Sequence, residues 1–406
     1  MARKSPWAVV LFASLALVLG ACSSSATNSG GSTAGSSADS PIKIGLINEN
    51  AGSVGAYPEA AVAAQAAVDY INNRLNGVGG RRLKLYVCDV DGTVGTSQQC
   101  AEQMVSDGVA FVMGGLDPNQ DVWYSILGPA GIPVIGGIPE TQHDYTATDA
   151  YNFQGGTATI FPALSEYVHV FDPQVKSVGI ILNDTPGATG SLPLIEKPLK
   201  SWGVKYTAVT VPTTQTDWTA PFIQVSKGNK VVIALLSGPN CVSLASASAS
   251  QGNPSKIVLV GPCDSSTVYQ ATGKEMNGWI VTGSGPNPLG TSVQAKLYQQ
   301  IMHKYAGAKA NLSGFAPATF MNVMTAYLSV LKPLAGKTID KASLIRQVTD
   351  SAGGNVFLGG KYKCPGVPFR AVCSYEVNYF TIENDNLVNG TSMVDTAPAL
   401  QAAIKS

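Results

Sequence analysis

Short apolar runs alternate with helical stretches along most of the chain after Pro41. The β-rich run at 42–48 is followed by an Ala-rich helical stretch at 58–75, and the same order returns from the run at 177–183 onward. Such alternation is typical of parallel sheets with helices covering both faces. Two series of this kind, separated by the irregular stretch 138–158, predict an α/β protein with two similar lobes.

The same patterns predict the individual elements. Strands are expected at 42–48, 82–90, 110–115, 132–137, 177–183, 204–211, 230–237, 256–261 and 375–384. Helices are expected at 58–75, 96–107, 192–202, 218–227, 241–251, 295–306 and 315–334. The last two helices should cross back to the first lobe, and the segment from Lys361 should return to the second. Repeated crossing predicts a multi-strand hinge, which suits bending. The expected lobes are 42–155 plus 284–352, and 156–283 plus 353–395.

The beginning of the chain has the pattern of an export signal. Arg3 and Lys4 precede an apolar run at 7–19, and small residues come before Cys22. A basic start, a short apolar run and small residues are typical of a secretory signal, which would occupy residues 1–21. The four residues ending at Cys22, LGAC, resemble a bacterial lipobox, which implies that Cys22 carries a lipid. The alternative is an ordinary signal with an incidental cysteine.

Residues 22–41 are expected to form a flexible tether. After Cys22 the segment consists almost entirely of Ser, Gly, Ala, Thr and Asn. It cannot bury enough apolar surface to fold, and its root-mean-square reach would be roughly 25 Å. The prediction is a folded body outside the cell, held at the outer face of the membrane through Cys22.

Cysteine usage agrees with export. Of seven cysteines, six remain after Cys22, an even number that suits an oxidising compartment. Many pairings are possible on paper, and the predicted one joins sequence neighbours: Cys88 with Cys100, Cys241 with Cys263, and Cys364 with Cys373. Each bridge would stabilise the fold by about 2–4 kcal/mol. A metal site competes for the same residues, but it needs paired Cys or His spacings that the chain lacks.

Composition and motifs disfavour several function classes. Charged residues make up 13% of the chain, and 26 basic residues balance 26 acidic ones without a basic stripe, so no nucleic acid partner is expected. The chain has no G-x-S-x-G, P-loop, H-E-x-x-H or G-x-G-x-x-G motif. No enzymatic activity, cofactor or metal is therefore predicted.

The block at 52–92, GSVGAYPEAAVAAQAAVDYINNRLNGVGGRRLKLYVCDVDG, resembles the opening of the type I periplasmic binding proteins. The closest similarity is to the branch that binds Leu, Ile and Val. The later segments QQCAEQMVSDGVAFVMGG, IPVIGG and LVGPCD also match that family's order. The resemblance implies a Venus-flytrap fold and delivery of a small-molecule solute to an ABC permease, and a monomer is expected.

The resemblance also implies where a ligand would bind. In the amino-acid-binding members, groups after the third and fourth strands hold the α-carboxylate, and an acid after Gly-Pro in the second lobe holds the ammonium. These positions fall here at 116–119, at 137–139, and at Cys263 or Asp264. The family's hydroxyls are missing here, Asp117 would repel a carboxylate, and Pro139 has no N–H.

The sequence therefore predicts a small polar solute, neutral or cationic, held in the crevice beyond the carboxyl ends of the strands. The expected ligand-binding residues are Asn50, Tyr57, Asp117, Asn119, Gly137, Ile138, Glu140, Asp184, Asn240 and Asp264. Two alternatives stay open. One is a sensor that uses the same clamp to signal to a membrane receptor, and the other is an exported hydrolase on a doubly wound sheet.

Overall fold

The computed structural model of the protein describes residues 40–52, 55–285, 287–350, 352–388 and 390–405. The predicted signal peptide at 1–21, the lipidation site Cys22 and the tether up to residue 39 lie outside these residues.

The first sheet has five parallel strands in the order β2-β1-β3-β4-β5. They are β1 (Ile42–Glu49), β2 (Leu83–Val90), β3 (Phe111–Gly114), β4 (Val134–Ile135) and β5 (Ala150–Tyr151). All but one residue of β1 is buried, as expected for a strand with helices on both faces. The helices that follow these strands are α1 (Pro58–Arg74), α2 (Val94–Asp107), α3 (Asp121–Leu127) and α4 (Gln142–Thr146).

The second sheet begins with five parallel strands: β6 (Ser177–Asn183), β7 (Lys205–Val211), β8 (Val231–Leu235), β9 (Lys256–Leu259) and β10 (Ile280–Gly283). A short ribbon follows, made of β11 (Gly354–Asn355) and β12 (Lys361–Tyr362). The antiparallel strands β13 (Glu376–Glu383), β14 (Asn386–Val388) and β15 (Val394–Asp395) complete the second sheet. Its main order is β14-β13-β10-β9-β8-β6-β7.

Helices of the second half divide between the two sheets. Those associated with the second sheet are α5 (Gly156–Phe171), α6 (Pro186–Ser191), α7 (Pro193–Ser201), α8 (Thr219–Ser226), α9 (Gly238–Ser250) and α10 (Ser266–Thr272). The next three return to the first sheet: α11 (Val293–Ile301), α12 (Ala316–Ala326) and α13 (Lys341–Thr349). The last, α14 (Ala397–Lys405), packs on α5 and α7. Among the described residues, no helix combines the length and apolar character needed to cross a membrane.

Each sheet has its own hydrophobic core. In the first, Leu46 of β1 packs with α1 and with Phe320 of α12. In the second, one face is covered around Trp218 and Phe222, and the other around Leu164 and Leu199. Separate cores make two lobes, and we call the first sheet with its helices the first lobe and the remainder the second lobe. Residues of the helices predicted at 295–306 and 315–334 pack in the first core, which favours their predicted return to the first lobe.

The expectation of an irregular stretch at 138–158 is wrong. This stretch contains α4, of five residues, and β5, of two residues, which is the edge strand of the first sheet. The prediction also missed β10, a four-residue strand in the middle of the second sheet. Elements this short do not complete enough periods to be recognised from residue pattern.

Three segments of chain connect the lobes: 152–155, 284–292 and 363–375. Two of them are hydrogen-bonded to each other, because Asn152 N donates to Ala371 O at 2.8 Å and Cys373 N donates to Asn152 O at 2.9 Å. The expected lobe boundary at 353 stays a prediction. Residues 356–358 pack in the first core together with Cys364 and Cys373, which favours a crossing nearer to residue 374.

The disulfides Cys88–Cys100, Cys241–Cys263 and Cys364–Cys373 are all formed, so the predicted pairing is confirmed. The Cys241–Cys263 bridge joins the first turn of α9 to the 3-10 turn Gly261–Cys263 that follows β9. It therefore ties together two chain segments at the same edge of the second sheet.

We expect the double substitution Cys241→Ser with Cys263→Ser to lower the free energy of unfolding by about 2–4 kcal/mol. The reason is that the bridge restricts a 22-residue separation in the unfolded chain. Urea denaturation followed by circular dichroism measures the loss. The matched control is the Cys88→Ser, Cys100→Ser pair, whose 12-residue separation should give a smaller loss. An unchanged unfolding midpoint in the first variant would contradict the prediction.

Candidate functional site

The carboxyl ends of parallel strands meet at one edge of a sheet, and ligands of open α/β sheets bind in the crevice beyond that edge. In the first lobe, the segments that follow β1, β3 and β4 are 50–57, 115–120 and 136–141. In the second lobe, the segments that follow β6, β8 and β9 are 184–190, 236–240 and 260–265. All ten predicted ligand-binding residues lie on these six segments.

Asn48, near the end of β1, connects the edge segments of the first lobe. Its Nδ2 donates to Glu49 O at 3.0 Å and Tyr57 O at 2.9 Å, and its Oδ1 accepts from Leu116 N at 3.2 Å. The side chain is fully buried, so these bonds are shielded from water. Sequence reasoning missed Asn48 because it was assigned to the strand.

Asp117 is an internal residue in this structure. Its Oδ1 accepts from Ser97 Oγ at 3.0 Å and Asn119 N at 2.9 Å, and its Oδ2 accepts from Trp123 Nε1 at 3.0 Å. The residue has no exposed surface. Asn119 is likewise engaged, since its Nδ2 donates to Gly92 O at 3.0 Å. Asp117 and Asn119, both predicted to bind ligand, thus stabilise the loop after β3 through hydrogen bonds within the protein.

Asp144 caps the first turn of α4 and is also fully used. Its Oδ2 accepts from Glu140 N at 2.9 Å and from both the N–H and the hydroxyl of Thr141, at 2.8 and 2.9 Å. Its Oδ1 accepts from the Tyr124 hydroxyl at 2.6 Å. Burial raises the pKa of Asp144 to about 6, while these hydrogen bonds oppose the rise. The capping box could have been recognised from Thr141 and Asp144 at the spacing T-x-x-D.

Glu140 differs from these acids because its carboxylate has no hydrogen-bond partner within the described part of the chain. The side chain is partly buried, and the loss of solvation raises its pKa to about 8. Repulsion from Asp144, Glu49 and Asp117 adds to that rise, and every charged group that shifts this pKa is an acid. Glu49 also acts on Tyr57, whose pKa is raised by burial first and then by Glu49 and Glu140.

The backbone beside Glu140 is closely packed. Gln120 Nε2 donates to Ile138 O at 2.9 Å. A Cβ at Gly137 would come within 2.9 Å of Asn152 Oδ1 and 3.2 Å of Gly114 N, so only glycine fits there without a shift. Further along the edge, Asn50 Nδ2 donates to Asp89 Oδ2 at 3.3 Å.

In the second lobe, Asn240 is a buried connector. Its Oδ1 accepts from Asn183 Nδ2 at 2.9 Å and from Ser237 Oγ at 3.0 Å, while its Nδ2 donates to Thr213 O at 3.2 Å. These bonds join the segments after β6, β7 and β8. Asn240 therefore has the same kind of role in the second lobe that Asn48 has in the first.

Asp264 accepts from the Tyr269 hydroxyl at 2.6 Å through Oδ1, and burial raises its pKa to about 6. It follows the Gly-Pro segment, as the resemblance implies. Asp184 is exposed, and its backbone N donates to Val211 O at 2.8 Å.

In the first lobe, Glu49 and Asp117 contribute to the raised pKa of Glu140, and Glu49 and Glu140 contribute to the raised pKa of Tyr57. In the second lobe, the Cys241–Cys263 bridge ties the segment of Asn240 to that of Asp264. Among the described residues, no hydrogen bond or ion pair joins the two sets directly. Their role in ligand binding stays a prediction.

The buried acid Glu140 makes stability depend on pH. Between about pH 4.5 and pH 8, Glu140 is ionised in the unfolded chain but protonated in the folded one, so the free energy of unfolding falls as pH rises. We expect Glu140→Gln to raise the free energy of unfolding by roughly 1–3 kcal/mol at pH 8 and to change it little at pH 5. Thermal denaturation across this pH range measures the difference.

The matched control for this prediction is Glu383→Gln, which changes an exposed glutamate on β13. We expect its stability to follow the unsubstituted protein at every pH. A destabilised Glu140→Gln variant at pH 8 would show that the ionised carboxylate is stabilised in the folded state, against the prediction.

Comparisons with known proteins agree with this architecture. A family model described as "Periplasmic binding protein" matches residues 41–363. No curated protein matches the sequence. The described two-lobed α/β fold is similar to that of solved solute-binding proteins, and the expected fold class is confirmed.

Three of these structures illustrate the likeness. The branched-chain amino acid transporter substrate binding protein LivJ from Streptococcus pneumoniae, in complex with isoleucine, has 18% identity and a TM-score of 0.68, with 87% of this chain and 99% of that chain covered. A solute binding protein of an ABC transporter from Rhodopseudomonas palustris HaA2, in complex with p-hydroxybenzoic acid, has 16% identity and a TM-score of 0.73, with coverages of 89% and 98%. A fatty acid ABC transporter substrate-binding protein from Thermomonospora curvata has 14% identity and a TM-score of 0.74, with coverages of 90% and 94%. Identities this low concern the fold and leave the ligand open.

Proposed function

Since the chain belongs to the periplasmic binding protein family, whose model matches residues 41–363, we propose that it is the extracytoplasmic solute-binding lipoprotein of an ABC importer. In this role it captures a small polar solute between its lobes and delivers it to a membrane permease. The solute is an amino acid, an amino-acid-like compound, an amide or an amine. The protein binds this solute without transforming it.

One observation carries the proposal. Each of the two lobes has its own hydrophobic core and presents polar residues at the carboxyl edge of its sheet. Each edge has buried polar residues that fix its loops, Asn48 in the first lobe and Asn240 in the second. The lobes are connected by three crossings, which permits bending without separation. Rigid loops on hinged bodies are suited to enclosing a small molecule.

Ligand binding would act by shifting a population of shapes. A solute that contacts both edges binds the closed form better than the open form, and the closed population rises with that difference in affinity. A permease that recognises the closed form would then receive mainly loaded protein.

The anchor is supported by the sequence alone. The LGAC segment ending at Cys22 and the Ser/Gly-rich residues after it suit a lipidated, tethered protein at the outer face of the cell membrane. A tether allows the folded body to reach its permease while staying attached.

We expect a solute that binds to make the protein more compact. Small-angle scattering of the mature chain, titrated with amino acids, amides and amines identified by calorimetry, should show a smaller radius of gyration at saturation. A solute that binds tightly and leaves the scattering curve unchanged would contradict the clamp mechanism. Uptake of that solute by cells should depend on the protein, whereas the sensor alternative predicts signalling without uptake.

We expect Cys22→Ser to abolish lipid attachment. Cells grown with an alkyne-bearing fatty acid should incorporate the label into the unsubstituted protein and release the Cys22→Ser protein from the membrane fraction. The matched control is Ser23→Ala, which changes the next residue and should keep the label. Equal labelling of the Cys22→Ser protein would contradict the lipoprotein assignment.

A further inference from the structure

We propose that the first lobe binds a positively charged nitrogen group of the solute, such as an ammonium, amidinium or guanidinium, between Glu140 and Tyr57 and next to a polar face of α12. The proposal rests on the proposed function and names the class of its solute. It assigns the charge-recognising role to the first lobe.

The strand ends that form the crevice are acidic and contain no basic residue. Lys and Arg are absent from every segment that follows a parallel strand: 50–57, 91–93, 115–120, 136–141, 152–155, 184–190, 212–218, 236–240, 260–266 and 284–292. The same segments carry six acids: Asp91, Asp117, Glu140, Asp184, Asp217 and Asp264. Since the whole chain has equal numbers of acidic and basic residues, the excess negative charge is specific to this edge. Such an edge attracts cations and disfavours anions.

Glu140 is the acid of the first lobe that is best placed to act on a ligand. Asp117 and Asp144 spend both carboxylate oxygens on internal donors. The Glu140 carboxylate accepts no hydrogen bond in the described structure, and its side chain is only partly buried. Its oxygens are therefore available to a ligand, and a bound cation would supply both an opposite charge and hydrogen-bond donors.

Tyr57 provides an aromatic ring beside this carboxylate. Its ring lies edge-on to that of Phe315, with 4.6 Å between centroids, and Glu140 contributes to the raised pKa of its hydroxyl. An organic cation near Glu140 could therefore also lie against an aromatic ring and make a favourable cation–π contact.

Behind this pair, α12 presents buried polar atoms without partners. Phe315, Thr319 and Asn322 are spaced i, i+4, i+7 and so share one side of the helix. That side extends from the Tyr57 ring at one end to Gly136 at the other, since a Cβ at Gly136 would lie 3.3 Å from the Asn322 Cβ. Thr319 Oγ1 and both amide atoms of Asn322 are at most 1% exposed and have no hydrogen-bond partner in the described residues. This is an observation independent of the acids, and it points to a polar group or water bound beside this side of α12.

A carboxylate-bearing solute fits this half of the crevice poorly. Each ionised acid at this edge would repel a solute carboxylate, and the repulsion strengthens as water leaves the crevice. Pro139, directly before Glu140, also lacks the N–H that could bind a carboxylate. The geometry therefore favours a cationic group here, even if the solute carries a carboxylate at its other end.

Calorimetric titration of the mature chain tests the proposal with probes of each charge class. Putrescine, agmatine and L-arginine are the cationic probes, acetamide and urea the neutral ones, isoleucine the zwitterion, 4-hydroxybenzoate the anion, and Ca²⁺ and Mg²⁺ the metal ions. We expect a cationic probe to bind most tightly. Glu140→Gln should weaken that binding at least tenfold, and the exposed control Glu383→Gln should leave it unchanged. Because Glu140→Gln is expected to be the more stable protein at pH 8, loss of binding there cannot be attributed to unfolding.

The other outcomes separate this proposal from the proposed function. Tightest binding of the anion or of a neutral probe, or cation binding that survives Glu140→Gln, overturns the charge assignment and leaves the solute-binding role standing. Binding of Ca²⁺ or Mg²⁺ alone, without any organic cation, also overturns it. If no probe binds and none compacts the protein, this proposal and the proposed function are both overturned for these solutes.

Thr319→Val tests the contribution of α12. The substitution removes an unpaired buried hydroxyl at nearly constant volume, so we expect an unchanged or higher melting temperature together with a three- to tenfold weaker binding of the cationic probe. Unchanged binding would show that this face of α12 holds only water, and would overturn its part in the site.

Discussion

The parallel pairing of β1 with β2 and β3 is the constraint from which the rest of the first lobe follows. Each parallel step requires a crossover, and the helices that make these crossovers cover both faces of the sheet. The same pairing brings every carboxyl end to one edge. The second lobe repeats this arrangement from β6 to β10. Two edges of this kind, on lobes connected by three crossings, are what the proposed clamp requires.

Much of the fold could be predicted from sequence because its long elements carry many repeats of their pattern. The helix α1 and the strands β1 and β6 were recognisable for that reason, and the local cysteine pairs followed from short separations. Elements of two to five residues, such as β5 and α4, contain less than two periods. Their structure is decided by tertiary contacts, and pattern alone could not identify them.

The candidate site was harder to predict because the same polar residue types serve two purposes. Asp117 and Asn240 have the composition expected of ligand contacts, yet the structure uses them to hold loops together. Glu140 was predicted alongside them. Only the structure shows that its carboxylate, unlike that of Asp117, accepts no hydrogen bond from the described residues. Asn48 was overlooked because it was assigned to a strand, and Glu49, predicted to begin the next loop, is the last residue of β1. The sequence identifies which segments reach the carboxyl edge of each sheet. The hydrogen bonds in the structure then show which side chains there remain available to a ligand.

The acids of the first lobe also bear on how a clamp can be both stable and responsive. Several carboxylates lie close enough together for Asp144, Glu49 and Asp117 to raise the pKa of Glu140 to about 8, after the effect of burial. Without a ligand, the folded protein relieves this repulsion by keeping the proton on Glu140. In the proposed complex, a cation would replace that proton, and its attraction to the remaining acids would grow as the crevice closes and water leaves. The repulsion among the acids that destabilises the empty site would then favour closure around a cation. A single cluster of acids would account both for the selectivity for cations and for the closure of the lobes.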